Sequence, residues 1–307
     1  MRLKDILKDT DLYKWYSSIK FLKKAKIIKN ITAFDYVSNK FFKAKGKVLD
    51  LQNPSSFDEK LCKDIIEDND PLKTYCTDKI TARNYVSKCG FGDILIEPFY
   101  AFKNVHDIKK LIFRSDNFIV KCNHISGAAV IVHKGKHLSI LAKKYFSNMQ
   151  KINYYDLSKE NNYKNIKPRI IAEKLLSDNG NLPTDYKIFT FNGVAHFVTV
   201  DSGVITKNGN HAEKYFRNFF DRDFKPIYNA SDSGRQPRDW NTIKKPKNWD
   251  YMVKISETLS KPFRFCRIDL YNIDGQVYFG EMTFYHGGGI NNFKPSEFEA
   301  KICSFYE

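Results

Sequence analysis

Several things are scarce or missing in this 307-residue chain, and each absence removes a class of protein. There is no CxxC pair and no His-rich partner for any of the six cysteines, Cys62, Cys76, Cys89, Cys122, Cys266 and Cys303, so neither a disulfide framework nor a zinc site is indicated. They read as reduced, mostly buried thiols. No run of about 18 apolar residues occurs, and the start, MRLKDILKDTDLYKWYSS, lacks the unbroken apolar core of a signal peptide. The expected location is therefore the cytoplasm. No repeat or low-complexity tract appears, and a hydrophobic content of 42% with 15% aromatics excludes a disordered chain. Acidic residues are also short: 35 Asp and Glu stand against 51 Lys and Arg, for a net charge of +16.

That excess is uneven. Residues 1–50 hold 13 Lys or Arg and 5 Asp or Glu, a local balance of +8 and half of the total. Such a field attracts polyanions, whether anionic lipid, acidic polysaccharide, nucleotide phosphates or nucleic acid. No nucleic-acid-binding motif is present, so nucleic acid is not an expected partner. Leu12, Trp15, Tyr16, Ile19 and Leu22 fall on one helical face with Lys14, Lys20, Lys23, Lys24 and Lys26 around it, which predicts a basic amphipathic helix over 10–29. Two readings stand: a helix lying on an anionic membrane surface, making the protein peripheral on the inner membrane face, or a helix packed on the domain with a solvated lysine face.

From Asn53 the pattern changes. Ser56-Phe57-Asp58-Glu59 is a capping box that opens a helix to about Glu67, and Thr77-Asp78 is expected to open another that Gly90 closes. Residues 117–124 and 128–134 read as strands joined by His124-Ile125-Ser126-Gly127, followed by a helix over 136–149. A strand over 169–176 leads to YKIFTFNGVAHFVTV, where Asn192-Gly193 signals a hairpin. Residues 203–247 are loop-rich, and a helix over 249–260 precedes a second hairpin. Helices alternating with mostly antiparallel strands indicate an α+β protein.

The second hairpin, RIDLYNIDGQVYFGEMTFYHGGG, carries Asp269 on one strand and Glu281 on the other in apolar, aromatic surroundings. A three-residue connection, Ile273-Asp274-Gly275, pairs Arg267 with Glu281 and puts Arg267, Asp269, Glu281 and Thr283 on one face; a two-residue Asp-Gly turn splits the acids between faces. Two carboxylates on a face repel unless positive charge lies between them. Arg267 supplies some, as in an ordinary ion-pair cluster; Mg²⁺ bridging nucleotide phosphates also suits two hard oxygen donors. Lys121 precedes the small-residue loop Ser126-Gly127-Ala128-Ala129, where backbone amides can approach phosphate. Lys79 and Arg83 share a helix face and remain ambiguous alone.

The ordered series NPSSFDEKL, TDKITARNYV, FIVKCNHISGAAVIV, NIKPRIIAEKLL, DYKIFTFNGVAHFVTVDS, RNFFD and the second hairpin resembles the TupA-like branch of the ATP-grasp superfamily from about Asn53 onward. The resemblance implies an ATP-grasp fold: a basic helical extension at 1–52, a mixed segment at 53–112, a lid subdomain at 113–175 and a large subdomain with the metal and substrate sites at 176–307. It implies an enzyme that uses ATP and Mg²⁺ to join a carboxylate to an amine through an acyl phosphate, with a hexuronic acid of a surface polysaccharide as acceptor and an amino acid or amine as partner. Lys79 and Lys121 would bind phosphates, with His124, Ser126 and Gly127 in the lid above them. Glu173, Lys174 and Leu176 would read adenine. Asp269 and Glu281 would hold metal, with Thr283 where most relatives have asparagine, and Arg267 would neutralise the transferring phosphate. Asp185, Lys187, Asp201, Arg217, His286 and Gly287 are the candidates for the substrate end. The lid has Ile125 and two alanines where glycines are common, and no arginine follows Asp201.

Two other readings compete. A phosphotransferase or glycosyltransferase-like enzyme could use the same nucleotide cleft, and a non-catalytic polyanion-binding module would make the positive charge the function and the acids structural.

Overall fold

The computed structural model describes residues 10–110, 116–178, 181–204, 212 and 214–306, with side chains 109 and 110 excepted. The boundary expected at 112/113 and part of the loop-rich 203–247 stretch lie outside the described residues.

Two antiparallel sheets organise the chain. The smaller has the order β1-β4-β2-β3, with β1 at Phe99–Phe102, β2 at Phe118–Cys122, β3 at Ala129–Val132 and β4 at Ile170–Lys174. The larger has the order β10-β9-β5-β6-β7, with β5 at Asp185–Phe191, β6 at Val194–Ser202, β7 at Phe216–Asp221, β9 at Phe265–Ile273 and β10 at Gln276–Thr283. A short pair, β8 (Ser231–Asp232) with β11 (Phe293–Lys294), lies beyond them. The α+β expectation holds.

Helices close the outer faces. On the small sheet, α1 (Asp11–Ile28) and α6 (Ile140–Met149) bury Ala25, Ala142 and Phe146 against Val120, Val130 and Ile170. Gly135 and the Ser139 cap delay α6 by four residues relative to the expected start at 136. On the large sheet, α8 (Trp249–Ser260) packs Trp249, Met252 and Leu259 against Ile188, Val198 and Ile268. The second face of that sheet is divided. Phe189, Phe191, Phe197, Phe219 and Phe265 form an aromatic cluster with Phe57 and Phe293 at one end, whereas Asp185, Lys187, Arg217, Arg267 and Asp269 occupy the other end of the same strands. Because side chains two residues apart share a face, the same alternation builds both the core and the charged floor.

The capping box forms as expected. Ser56 accepts from the Glu59 amide, Glu59 accepts from the Ser56 amide, and α3 runs Phe57–Glu67. The helix expected between Thr77-Asp78 and Gly90 forms but starts later, and another helix precedes it. Asp70 caps a helix α4 at Pro71–Thr77, so Thr77 ends an element instead of opening one, and α5 spans Thr81–Lys88. Asp78 instead accepts from the Ile80 amide and from Asn123 Nδ2. Helix α2 (Ala33–Lys45), one-turn helix α7 (Tyr155–Ser158) and α9 (Ser296–Phe305) complete the set.

The second hairpin corrects the expected register. Gln276 pairs with Ile273, so the turn is the two-residue Asp274-Gly275, with φ of 50° and 86°. That turn alone would send the two acids to opposite faces. A bulge at Gly280, between Phe279 and Glu281, inserts one residue and restores the shared face. Glu281 then stands directly opposite Asp269, and Thr283 opposite Arg267.

Two outcomes test these local devices. An ideal Cβ on Gly280 lies 2.8 Å from the Asp269 carbonyl oxygen and 3.3 Å from the Tyr271 ring, so Gly280→Ala is expected to cost about 1–3 kcal/mol in denaturant unfolding, the usual range for overpacking. Unchanged stability would contradict this steric account of the bulge. Glu59 is buried, which opposes its charge, but Lys47, Ser56 and Ser55 hold its pKa down to about 2. Its contribution is therefore present above the ordinary carboxylate range and lost as pH falls through about 4.5 toward 2. Unfolding of Glu59→Gln followed against pH should show a deficit of roughly 1 kcal/mol at neutral pH that vanishes near pH 2.

Candidate active site

A cavity of about 360 Å³ lies between the two sheets, within the roughly 300–1,000 Å³ common for small-molecule sites. At one end stand Lys79, Lys121 and the loop from Ile125 to Ala129; at the other are the charged floor of the large sheet and the loops bearing Tyr215, Asp232, Arg235 and His286. A narrower slot of about 70 Å³ adjoins it, sharing Ile119, Lys121, Asp185 and Tyr271 and reaching Glu173, Lys174, Leu175, Leu176 and Leu182.

Strand registry positions the floor. Lys187 pairs with Asp269 and Asp185 with Tyr271 across β5 and β9; Asp185 pairs with Asp201 across β5 and β6, and Asp201 with Arg217 across β6 and β7. Arg267 Nε and Nη2 each donate to an Asp269 oxygen at 2.6 Å, and Lys187 Nζ donates to Asp269 at 2.8 Å and also binds Asp185. Burial opposes the Asp269 charge, but Arg267 and Lys187 keep its pKa below the ordinary value. Burial likewise disfavours charge on Lys187 and Arg267; the facing carboxylates outweigh it and push both pKa values up. Asp185 goes the other way, to about 6, because burial dominates over Lys187 and both Asp269 and Asp201 repel it.

The donor set fits one divalent ion carried by phosphates. Among the described residues no group of three or more His, Cys, Asp or Glu converges on a point, so no all-protein cage exists. Mg²⁺ does not need one, since it usually keeps waters and takes one or two carboxylates with phosphate oxygens. Glu281 is partly exposed and has Arg267 Nη2 at 3.5 Å; among the described residues Asp269 Oδ1 accepts from Arg267 Nε alone, leaving it a lone pair. Thr283 is already engaged, accepting from Arg267 at 3.0 Å and donating to Glu281 at 3.3 Å.

The sequence-derived candidates divide on inspection. Lys79 reaches over the lid to the Ile125 carbonyl at 3.4 Å, and Lys121 pairs with Glu173 at the mouth of the slot. Ser126 and Gly127 line the cavity. His124 does not: it is buried with Nδ1 on Asn123 and Nε2 toward Met149, and burial lowers its pKa to about 4. It shapes the lid from behind. At the end of β4, the amides of Lys174 and Leu175 donate to Pro98 and Asn117, which leaves the Leu176 amide as the next one available among the described residues.

At the substrate end, Asp185, Lys187, Arg217, His286 and Gly287 line the cavity, and its cations already have carboxylate partners. Lys187 spends two of its three N–H donors on Asp185 and Asp269. Arg217 is buried and bound by both Asp201 oxygens and by Asp232, all at 2.6–2.7 Å. Both cations are already charge-paired by the chain's own carboxylates, and Asp201 acts as Arg217's buried counter-charge. His286 accepts from Arg267 at Nδ1, 2.7 Å away, which puts its proton on Nε2, 3.6 Å from Asp232. Burial brings its pKa to about 4, so it stays neutral at pH 7 and props Arg267.

Sequence reasoning missed Arg235. Its guanidinium lies over the Tyr215 ring, 4.7 Å from the centroid, and touches Asp232 only at 3.4 Å, so it is the least engaged of the cavity arginines. Nothing in SDSGRQPRDW distinguishes it from any other basic loop residue. Gly280 was missed too, because a glycine in a strand signals a bulge only if the register is already known.

Comparison with curated proteins finds no match. Among solved structures the chain is similar to the D-alanine–D-alanine ligase from Bacillus anthracis complexed with ATP, at 13% identity over 69% of this chain and 54% of that one with a TM-score of 0.38. It is similar to the L-amino acid ligase from Bacillus licheniformis, at 16% identity over 83% and 55% with a TM-score of 0.42. The ATP-grasp ligase PsnB, complexed with a phosphomimetic precursor variant, Mg and ADP, matches at 8% identity over 78% and 61% with a TM-score of 0.41. The chain thus spans between half and two thirds of the length of these ligases. The family described as TupA-like ATPgrasp matches residues 59–305, most of the chain and all of both sheets, and the protein belongs to that family.

Proposed function

We propose that the protein is an ATP-dependent carboxylate–amine ligase that joins an amino acid or other amine to a hexuronic acid of a surface polysaccharide. The observation that carries this reading is the opposition, across one cavity, of two lysines with a small-residue loop and the Arg267–Asp269–Glu281 face, with Arg235 beyond it.

The slot beside Leu176 would hold adenine, and Lys79, Lys121 and the amides of Ser126–Ala129 would meet the phosphates. Arg267, fixed by Asp269 and His286, points its charge at the transferring phosphoryl group. Glu281 and Asp269 would hold Mg²⁺, which when bound offsets the repulsion between an anionic acceptor and the γ-phosphate. One oxygen of the uronic carboxylate attacks the γ-phosphorus, the bond to the β,γ-bridging oxygen breaks and ADP leaves. The amine then attacks the acyl carbon, the carbon–oxygen bond to phosphate breaks, inorganic phosphate departs with that carboxylate oxygen, and the ammonium nitrogen loses a proton to solvent. No side-chain nucleophile is required; the chain supplies position and charge.

Arg235 over Tyr215 suits the acceptor end, where a planar cation meets an anionic group and an aromatic ring faces a sugar. The test is ADP release on a panel of hexuronic acids with amino acids, with the product weighed for loss of one water. Arg235→Ala is expected to raise the acceptor KM by about tenfold or more, the scale of one charged hydrogen bond, with little change in the KM for ATP. A phosphorylated or glycosylated product in place of an amide, or an equal rise in both KM values, would count against this reading.

A further inference from the structure

Helix α1 does not present the face that its sequence suggests. Trp15 and Leu22 turn inward with Lys14, Ser18, Ala25 and Ile28, and Lys14 Nζ donates to the Ala129 carbonyl at 2.8 Å. Ser18 accepts from Asn148 of α6 at 3.0 Å, and Asp11 accepts from Ser139 at 2.6 Å. These polar ties rotate the helix so that Leu12 and Tyr16, two of the five residues of the expected apolar face, point to solvent at 52% and 51% exposure. Ile27, three steps further along the same stripe, is 68% exposed.

The outward stripe therefore reads Leu12, Tyr16, Lys20, Lys23, Ile27, at spacings of four, four, three and four, with Tyr13 and Lys24 beside it. Lys20 Nζ sits over the Tyr16 ring, 4.6 Å from its centroid. Apolar exposure is concentrated in this part of the molecule: among the described residues, nine of the fifteen exposed large hydrophobic side chains lie between Leu12 and Val48, including Phe34 and Phe42 on α2. Residues 1–50, which contain this segment, carry half of the net charge. A face built only for solvent needs the lysines and not the tyrosine, leucine and isoleucine between them. Aromatic and aliphatic side chains interleaved with lysines along one stripe match a bilayer interface, where rings settle among headgroups and ammonium groups meet anionic lipid. No helix among the described residues is long and apolar enough to cross a membrane, so the contact is peripheral.

We infer that the outer face of α1 docks the protein on an anionic lipid surface. The lid sheet is on the opposite side of this helix, so docking holds the lid subdomain at the membrane and leaves the floor of the cavity on the far sheet. The inference rests on this surface alone and survives failure of the ligase reading.

The experiment is co-sedimentation of the full-length protein with vesicles of neutral phosphatidylcholine and of phosphatidylcholine containing phosphatidylglycerol, each at low and physiological salt. Wild type is expected on the anionic vesicles only. Lys20→Gln, Lys23→Gln and Lys24→Gln together should weaken binding on the order of 100-fold, a factor of about five for each lysine. Tyr16→Glu with Ile27→Glu should abolish the binding that persists at physiological salt, while thermal unfolding stays within a few degrees of wild type because neither side chain is buried. Absence of wild-type binding overturns the inference. So does binding by the Tyr16/Ile27 variant equal to wild type, which would leave a generic polycation, and so does a dimer in solution that the same two substitutions dissociate, which would make the stripe a contact between copies of this chain.

Discussion

A single buried carboxylate organises the charged half of this protein. Asp269 sits on a central strand with Arg267 on two of its oxygen positions and Lys187 on a third. Burying such a group alone costs several kcal/mol, and the cost is recovered only when geometry and hydrogen bonding are good on every side. Those demands fix the registry of three strands at once, since Lys187 must pair across from Asp269, Arg267 must lie two residues before it, and Glu281 must come round the hairpin to the same face. The neighbouring row repeats the logic, with Arg217 between Asp201 and Asp232. Cations paired in this way make a preorganised floor; Glu281 and Arg235 are the less engaged charged groups that line the cavity.

The pattern of that floor was legible in the sequence, its assembly only partly. Asp185, Lys187, Phe189 and Phe191 alternate on β5, and Phe265, Arg267, Asp269 and Tyr271 on β9, so a face half charged and half aromatic can be read from spacing two. The Ser56–Glu59 box and the Asn192-Gly193 turn were equally local and equally clear. The second hairpin was not. Its turn obeys the Asp-Gly rule, and the common face survives through a bulge whose steric cause, the Asp269 carbonyl against Gly280, exists only once the strands are paired. Helix α4, capped by Asp70 with Pro71 in its first turn, has no counterpart in the sequence reading. Arg235 and the rotation of α1 depend on contacts across more than a hundred residues or on loop packing, which no local pattern encodes.

Residues before 59 lie outside the family match, yet they touch both walls of the cavity. Lys14 holds the Ala129 carbonyl at the root of the lid strand, while Lys40 donates to Gly288 at 2.8 Å and Lys45 to Asn291 at 2.6 Å and to Asp58 at 2.7 Å on the opposite side. Lys47 reaches Glu59 at 3.0 Å and reinforces the capping box. Part of the positive charge that looks like a polyanion-binding surface in the sequence is therefore spent on backbone carbonyls and buried carboxylates. What remains outside, on α1, is interleaved with apolar side chains.

The central claim is that the cavity binds ATP through a metal held by the hairpin acids. Its most direct test is a calorimetric titration of ATP with and without Mg²⁺, on wild type and on the Asp269→Asn, Glu281→Gln double variant. Binding that needs Mg²⁺ and disappears in a double variant that still unfolds cooperatively is the expected result. No binding by wild type, or binding to both proteins indifferent to Mg²⁺, would contradict the account and leave the charged floor as architecture alone.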